Sequence, residues 1–214
     1  MKGDVVIVEE HHRRASATIA ECMLTDVRAR PRRTTISVAG ESGSGKSEMG
    51  RALVEAFEAL GVPGVVLGQD DYFVLPPGSN DRARREDIAW VGLQEVRLDA
   101  LDEHLAAARA GASEIHKPLV AYADDAIEKE TISLVGTRVI VAEGTYTTLL
   151  ENVDTRIFIV RDRLDTMETR ARRAREPSDQ FIEEVLKIEH EIISRHRSRA
   201  DVIVSRDYEV EFIR

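Results

Sequence analysis

A chain of 214 residues with 30 Lys and Arg against 39 Asp and Glu carries a net charge of -9, and is long enough for one well-buried α/β domain but hardly for two. That balance excludes a general nucleic-acid or anionic-membrane binder, and no apolar run reaches the length of a membrane span or forms a secretion signal. The single cysteine, Cys22, excludes an internal disulfide framework and suits a reducing cytosol, so the expected setting is cytoplasmic.

Residues 1–33 read as an extension ahead of the main domain. Val5 to Val8 form a short apolar run with strand character, and Ile19, Cys22, Met23 and Val27 line one face of a helix predicted from Ala15 to about Arg30. Pro31 ends it. Cys22 lies on the apolar stripe and is expected in the core. His11, His12, Arg13 and Arg14 could serve a metal or a phosphate, but adjacent histidines in a polar stretch read more simply as solvated loop. The extension is expected to pack on the domain or on a second subunit, so a homo-oligomer is open.

Residues 34–214 form the main domain. Thr34 to Ala39, largely β-branched or small, read as a strand that runs into Gly40-Glu41-Ser42-Gly43-Ser44-Gly45-Lys46-Ser47. That octapeptide fits the phosphate-loop pattern G-x-x-x-x-G-K-S/T at every fixed position. Met49, Leu53, Phe57 and Leu60 then recur at helical spacing up to Gly61. Glycines at 40, 43 and 45 let several backbone N–H groups converge on one anion, and the helix starting near Lys46 adds its positive end. Lys46 can reach terminal phosphates, and the Ser47 hydroxyl is placed to ligate Mg2+. The alternative is an incidental glycine-rich turn.

A second strand, Val65 to Leu67, leads into Gln69-Asp70-Asp71-Tyr72-Phe73. Carboxylates directly after an apolar strand sit at the C-terminal edge of a parallel sheet, where open α/β proteins bind ligands. One of these aspartates can take a proton from a substrate hydroxyl, although a lone Asp there is often a turn or cap residue. Residues 76–92 read as a loop of mixed charge in which Arg82, Arg84 and Arg85 could hold an anionic substrate or face solvent. Asp99 is expected to cap a packing helix that carries Leu101, Leu105 and Ala108. His116 to Tyr122 reads as extended, with a further strand at Thr131 to Val135.

Arg138 to Gly144 is a buried-type strand that ends on Glu143, a carboxylate suited to the Mg2+ shell, and Arg156 to Val160 supplies another. Arg161, Arg163, Arg170, Arg172, Arg173 and Arg175 cluster on a predicted helix broken at Pro177. On an acidic domain such a cluster suits a lid that closes over a triphosphate; salt bridges to Asp162, Asp165, Glu168 and Glu176 are the alternative. Ser178 is expected to cap a long helix with Phe181, Val185, Leu186, Ile188, Ile192 and Ile193 inward, and Ala200 to Val204 closes the sheet.

These segments together resemble the uridine kinase and phosphoribulokinase group of P-loop kinases. Gly40 to Ser47 matches that group's phosphate loop, Gln69 to Phe73 is similar to its Q-D-S-F-Y segment, and Glu143-Gly144-Thr145-Tyr146 to its E-G-I-L segment. Arg170 to Arg175 falls where its arginine lid lies, and Ala200 to Val204 resembles its A-D-V-I-I strand. The resemblance implies Asp70 as general base, Glu143 with Ser47 at the metal, and Lys46, Arg170 and Arg173 on the transferring phosphoryl group. It places ATP on Gly40, Ser42, Gly43, Ser44, Gly45, Lys46, Ser47 and Glu48. It places the acceptor near Asp71, Tyr72, Phe73, Arg82 and Tyr122. The group's F-D-H-P segment has no counterpart around Ile88 to Gly92. Its P-V-Y-D-F segment is answered by Pro118-Leu119-Val120-Ala121-Tyr122, with valine in the middle.

The expected fold is therefore a P-loop NTPase-type, mostly parallel sheet of about five core strands flanked by helices, with a helical lid around 161–177. The expected function is ATP- and Mg2+-dependent phosphorylation of a small-molecule hydroxyl, nucleoside-like or a related alcohol. A sugar-phosphate kinase, a regulatory ATPase without acceptor and a nucleotide-stabilised adaptor are the alternatives; the guanine motif N-K-x-D is missing from the chain.

Overall fold

The structure is a computed structural model, and it describes residues 1–3, 5–161, 165 and 180–213. In chain order it comprises α1 (Glu10–Ala29), β1 (Thr34–Gly40), α2 (Lys46–Ala59), β2 (Gly64–Gly68), α3 (Pro77–Glu86) and α4 (Leu98–Arg109). These are followed by β3 (Glu114–Ala121), β4 (Ala126–Ser133), β5 (Val139–Glu143), β6 (Thr155–Ile159), α5 (Gln180–Ile193), β7 (Val202–Val204) and β8 (Val210–Phe212).

Six strands form one sheet in the order β2-β5-β1-β6-β7-β8, parallel except for β8, which runs antiparallel along β7. Strands buried on both faces carry the continuous apolar runs of a covered parallel sheet. Every residue of β1 and of β5 is buried. The two-residue period of a strand divides these side chains between two cores. Ile36, Val38, Val139 and Val141 meet α1 and α2, whereas Ala39, Ile140 and Ala142 meet Leu101, Leu105 and Ala108 of α4. Helices thus cover both faces, and the loops after β1, β2 and β5 open at one edge. β3 and β4 pair separately as an antiparallel hairpin.

The five parallel strands are those expected of the core, and β8 adds a sixth at the sheet edge. Several expectations about single elements are corrected. Val5 to Val8 is not a strand, and Val5 and Ile7 are 74% and 65% exposed. α1 begins at Glu10 rather than Ala15, so His11 to Arg14 are helical, and His12 is buried. Its inward face runs through Ala15, Ile19 and Val27; Cys22 falls off that stripe and is exposed. Residues 77–86, expected as loop, form α3: a proline suits the first turn, and Asp81 pairs with Arg85 one turn on at 2.9 Å. α4 starts at Leu98 with Arg97 at the cap position, which places Asp99 inside the first turn. β4 lies at Ala126–Ser133, earlier than Thr131 to Val135.

Candidate active site

β1 delivers the chain to Gly40, and the loop turns back at once into α2. Gly43 and Gly45 take φ values of 77° and 94°, which disfavour side-chain-bearing residues. A Cβ on Gly45 would lie 2.4 Å from the Tyr208 hydroxyl oxygen. Inside the loop, Ser44 N–H donates to the Glu41 carbonyl at 3.1 Å, and Met49 N–H to the Gly45 carbonyl at 2.8 Å. α2 starts at Lys46, so the amides of Gly45, Lys46, Ser47 and Glu48 are the four that find no acceptor within the helix. Lys46 Nζ donates to the Glu41 carbonyl at 2.9 Å. The Glu48 side chain is buried and a carboxylate repels an anion, so Glu48 would meet a phosphate through its backbone amide.

β2 and β5 are neighbours in register, with Gly68 beside Glu143, which sets the two acidic strand ends side by side. Ser47 Oγ donates to Glu143 Oε2 at 3.2 Å. Burial and the charge of Asp70 push the Glu143 carboxyl up to about 7, against the pull of Lys46 and of the Ser47 hydrogen bond. Asp70 is half-buried and, among the described residues, has no hydrogen-bond or ion-pair partner.

Asp71 is the opposite case. The Gln69–Tyr72 turn is a single 3-10 helix that points successive side chains apart, and Asp71 faces inward. Its Oδ2 accepts from Lys117 Nζ at 2.6 Å and its Oδ1 from Val120 N–H at 3.0 Å. Tyr72 is fully buried, with its hydroxyl 2.8 Å from His104 Nδ1. The side chains of Asp71 and Tyr72, expected at the acceptor, are therefore spent inside the fold. Phe73 is half-buried and bridges Val96 through its backbone.

The three arginines considered for an anionic acceptor are each paired with a carboxylate. Arg82 meets Asp125 at 3.3 Å, Arg84 meets Glu95 and, at 3.4 Å, Glu189, and Arg85 meets Asp81. Tyr122 is 43% exposed just after β3. Arg170, Arg173 and most of the 161–177 lid lie outside the described residues, as does the Ser178 cap.

Several contacts at the loop have no local sequence signal. His190 of α5 approaches Glu41 Oε1 through Nδ1 at 2.6 Å, Gln69 Oε1 accepts Tyr146 N–H at 2.7 Å, and His12 and Tyr208 converge on the loop from opposite ends of the chain. The paired histidines were the single visible hint. No helix among the described residues is long and apolar enough to cross a membrane.

The sequence model of the phosphoribulokinase/uridine kinase family matches residues 35–211. The bifunctional alpha-galactosidase/sucrose kinase AgaSK of Mediterraneibacter gnavus is 30% identical over 189 residues, covering 82% of this chain but only 20% of that protein's length. Among solved structures, a protein described as a fructose transport system kinase from Silicibacter sp. TM1040 aligns with a TM-score of 0.65 at 18% identity, over 86% of this chain and 94% of the other. The D-glycerate 3-kinase of Cryptococcus neoformans aligns at 0.62 and 12%, over 94% and 99%. The chain belongs to the phosphoribulokinase/uridine kinase family, a membership that implies ATP use.

Proposed function

From that membership and the geometry above, we propose that the chain is a kinase that transfers the γ-phosphoryl group of ATP to a hydroxyl of a neutral, polyhydroxylated metabolite of the carbohydrate kind, with Asp70 as general base. One contrast carries the reading. Of two adjacent aspartates, Asp71 has both oxygens engaged by Lys117 and Val120, while Asp70, beside Glu143, has no hydrogen-bond or ion-pair partner among the described residues. A carboxylate so left can take the proton of an acceptor hydroxyl as its oxygen attacks the phosphorus and the bond to ADP breaks.

The remaining residues follow from their donors. The unpaired amides of Gly45 to Glu48 meet phosphate oxygens at the helix start, and the glycines at 40 and 43 with Ser42 and Ser44 keep the loop close to them. Lys46 leaves the Glu41 carbonyl and follows the transferring group as a flexible point charge. The Ser47 hydroxyl with Glu143 and Asp70 is a set of hard oxygen donors that fits Mg2+, which when bound neutralises charge on the phosphate oxygens. Arg170 and Arg173, carried over from the resemblance, are assigned to the same developing charge.

The neutral character of the acceptor is supported by the pairing of Arg82, Arg84 and Arg85, which leaves none of those three cations for an anionic substrate. The carbohydrate class is supported by the sucrose kinase named in the sequence relative. ADP release from Mg-ATP, measured with sucrose, fructose, uridine, glycerate, a pentose phosphate and no acceptor, tests the reading. Stimulation by a neutral sugar is expected, with a fall of about 10^2 to 10^4 in Asp70→Asn. Slow turnover that ignores the acceptor and survives Asp70→Asn would point to a regulatory ATPase instead.

A further inference from the structure

The Tyr208 hydroxyl donates to the Ser44 carbonyl of the phosphate loop at 3.0 Å, and it lies 3.1 Å from His12 Nε2 and 3.0 Å from Arg161 Nη1. The protons on this chain of contacts can be assigned from their ends. The helix N-cap amide, Glu9 N–H, donates to His12 Nδ1 at 3.1 Å, so Nδ1 is an acceptor and the ring proton of the neutral imidazole sits on Nε2. His12 Nε2–H then faces the Tyr208 oxygen at 3.1 Å, with His11 Nε2 at 3.2 Å sharing that proton, and the Tyr208 proton goes to Ser44. Burial raises the Tyr208 hydroxyl above its usual range, which keeps that proton in place.

The same assignment settles a second question. Ligand atoms of Glu9, His11 and His12 all lie within 4.8 Å of one another, which suggests a cation site. A metal on His12 Nε2 would move the ring proton to Nδ1, donor facing donor at the N-cap amide. The cluster is therefore a hydrogen-bonded relay, and its far end is the phosphate loop.

Two features show that the contact is imposed by the fold rather than incidental. Tyr208 has a φ of 61°, a left-handed conformation that a bulky residue adopts only when its surroundings force it. It also stands hard against Gly45, where any side chain would collide with its hydroxyl. α1, which supplies His12, lies before the residues 35–211 that the family sequence matches.

A trans peptide holds its C=O and N–H in one plane and pointing in opposite directions. Pinning the Ser44 carbonyl therefore aims the Gly45 N–H the other way, into the loop. We infer that His12 and Tyr208 are positioning residues that lock the Ser44–Gly45 peptide in the orientation that binds the nucleotide phosphates. This rests on the nucleotide reading of Gly40 to Ser47 above. It makes α1 part of the nucleotide site without touching the ligand.

The test uses the full chain, a fluorescent ATP analogue with Mg2+, and the acceptor that stimulates turnover. Tyr208→Phe, which keeps the ring, is expected to weaken nucleotide binding about three- to tenfold, the loss of one hydrogen bond, while the acceptor KM stays unchanged. His12→Ala should do the same, His12→Gln should recover part through its amide donor, and the double variant should be no worse than the singles. Unfolding midpoints without nucleotide confirm that the variants fold, and Tyr208→Phe carries the test alone if His12→Ala does not. Unchanged affinity in Tyr208→Phe, or equal rises in both KM values, would overturn the brace while leaving the nucleotide reading intact. Binding that does not depend on Lys46 would overturn the nucleotide reading, and the brace with it.

Discussion

Asp70 and Asp71 are chemically identical neighbours, and only their surroundings separate them. Asp71 shares a buried ion pair with Lys117, whose side chain is 3% exposed and which also meets Glu130 at 3.0 Å. Removing Asp71 leaves the buried Lys117 ammonium to the Pro118 carbonyl and to Glu130, a carboxylate 40% exposed and so a weaker match for it. Asp71→Asn is therefore expected to cost about 3 kcal/mol of stability in chemical denaturation, whereas Asp70→Asn should leave the unfolding curve close to wild type. An Asp71→Asn chain as stable as wild type would show that Lys117 finds solvent. The sequence made both aspartates visible as strand-end acids, but not which faced inward. That depended on Lys117, 46 residues away on a hairpin with no pattern linking it to β2.

At the scale of the elements, continuous apolar strands and helices with one apolar face were legible. β1, β2, β5 and β6 show as short runs of β-branched and apolar residues, α2 by its helical spacing, and the phosphate loop by its glycines. α3 was not legible, because its stability comes from a first-turn proline and charge pairs rather than an apolar stripe; Asn80 is its one buried residue. The fastening of α1 was hidden as well. Its exit is held by Asp154, which accepts from Arg30 at 2.6 Å, from Arg32 at 2.7 Å and from Thr35 N–H at 3.0 Å, with Arg109 of α4 at 3.6 Å. Burial alone would raise the Asp154 carboxyl, but the Arg32 and Thr35 hydrogen bonds and the nearby guanidiniums outweigh it and hold it at about 2. A depressed carboxylate contributes its stability above its unfolded value near 4 and loses it as pH falls through the folded value. Asp154→Asn should thus lower stability at neutral pH by about 2 kcal/mol and flatten the stability profile between about pH 4 and 2. An unaltered acid limb would place the cost elsewhere.

Taken whole, the molecule sets its acids and its phosphate loop on one sheet edge through strand order alone: β5 lies between β1 and β2, so three loops from distant parts of the chain become neighbours. Order of this kind is not written in any local window, and neither is the antiparallel β8 that finishes the sheet with a short edge strand. The contact between His12 and Tyr208 is a long-range expression of it, joining residues 196 positions apart. Contacts of such separation close late, because most of the chain's freedom is lost before they are rewarded. On a ribosome, Tyr208 is still unmade when the phosphate loop and its strand have already emerged. The chain would therefore acquire its secondary structure before its full grip on nucleotide. In refolding from denaturant, ATP-analogue fluorescence should rise in a phase slower than the far-ultraviolet signal of the helices, and Tyr208→Phe should shrink that phase. Such timing would keep a half-made chain from gripping a nucleotide before its site is complete.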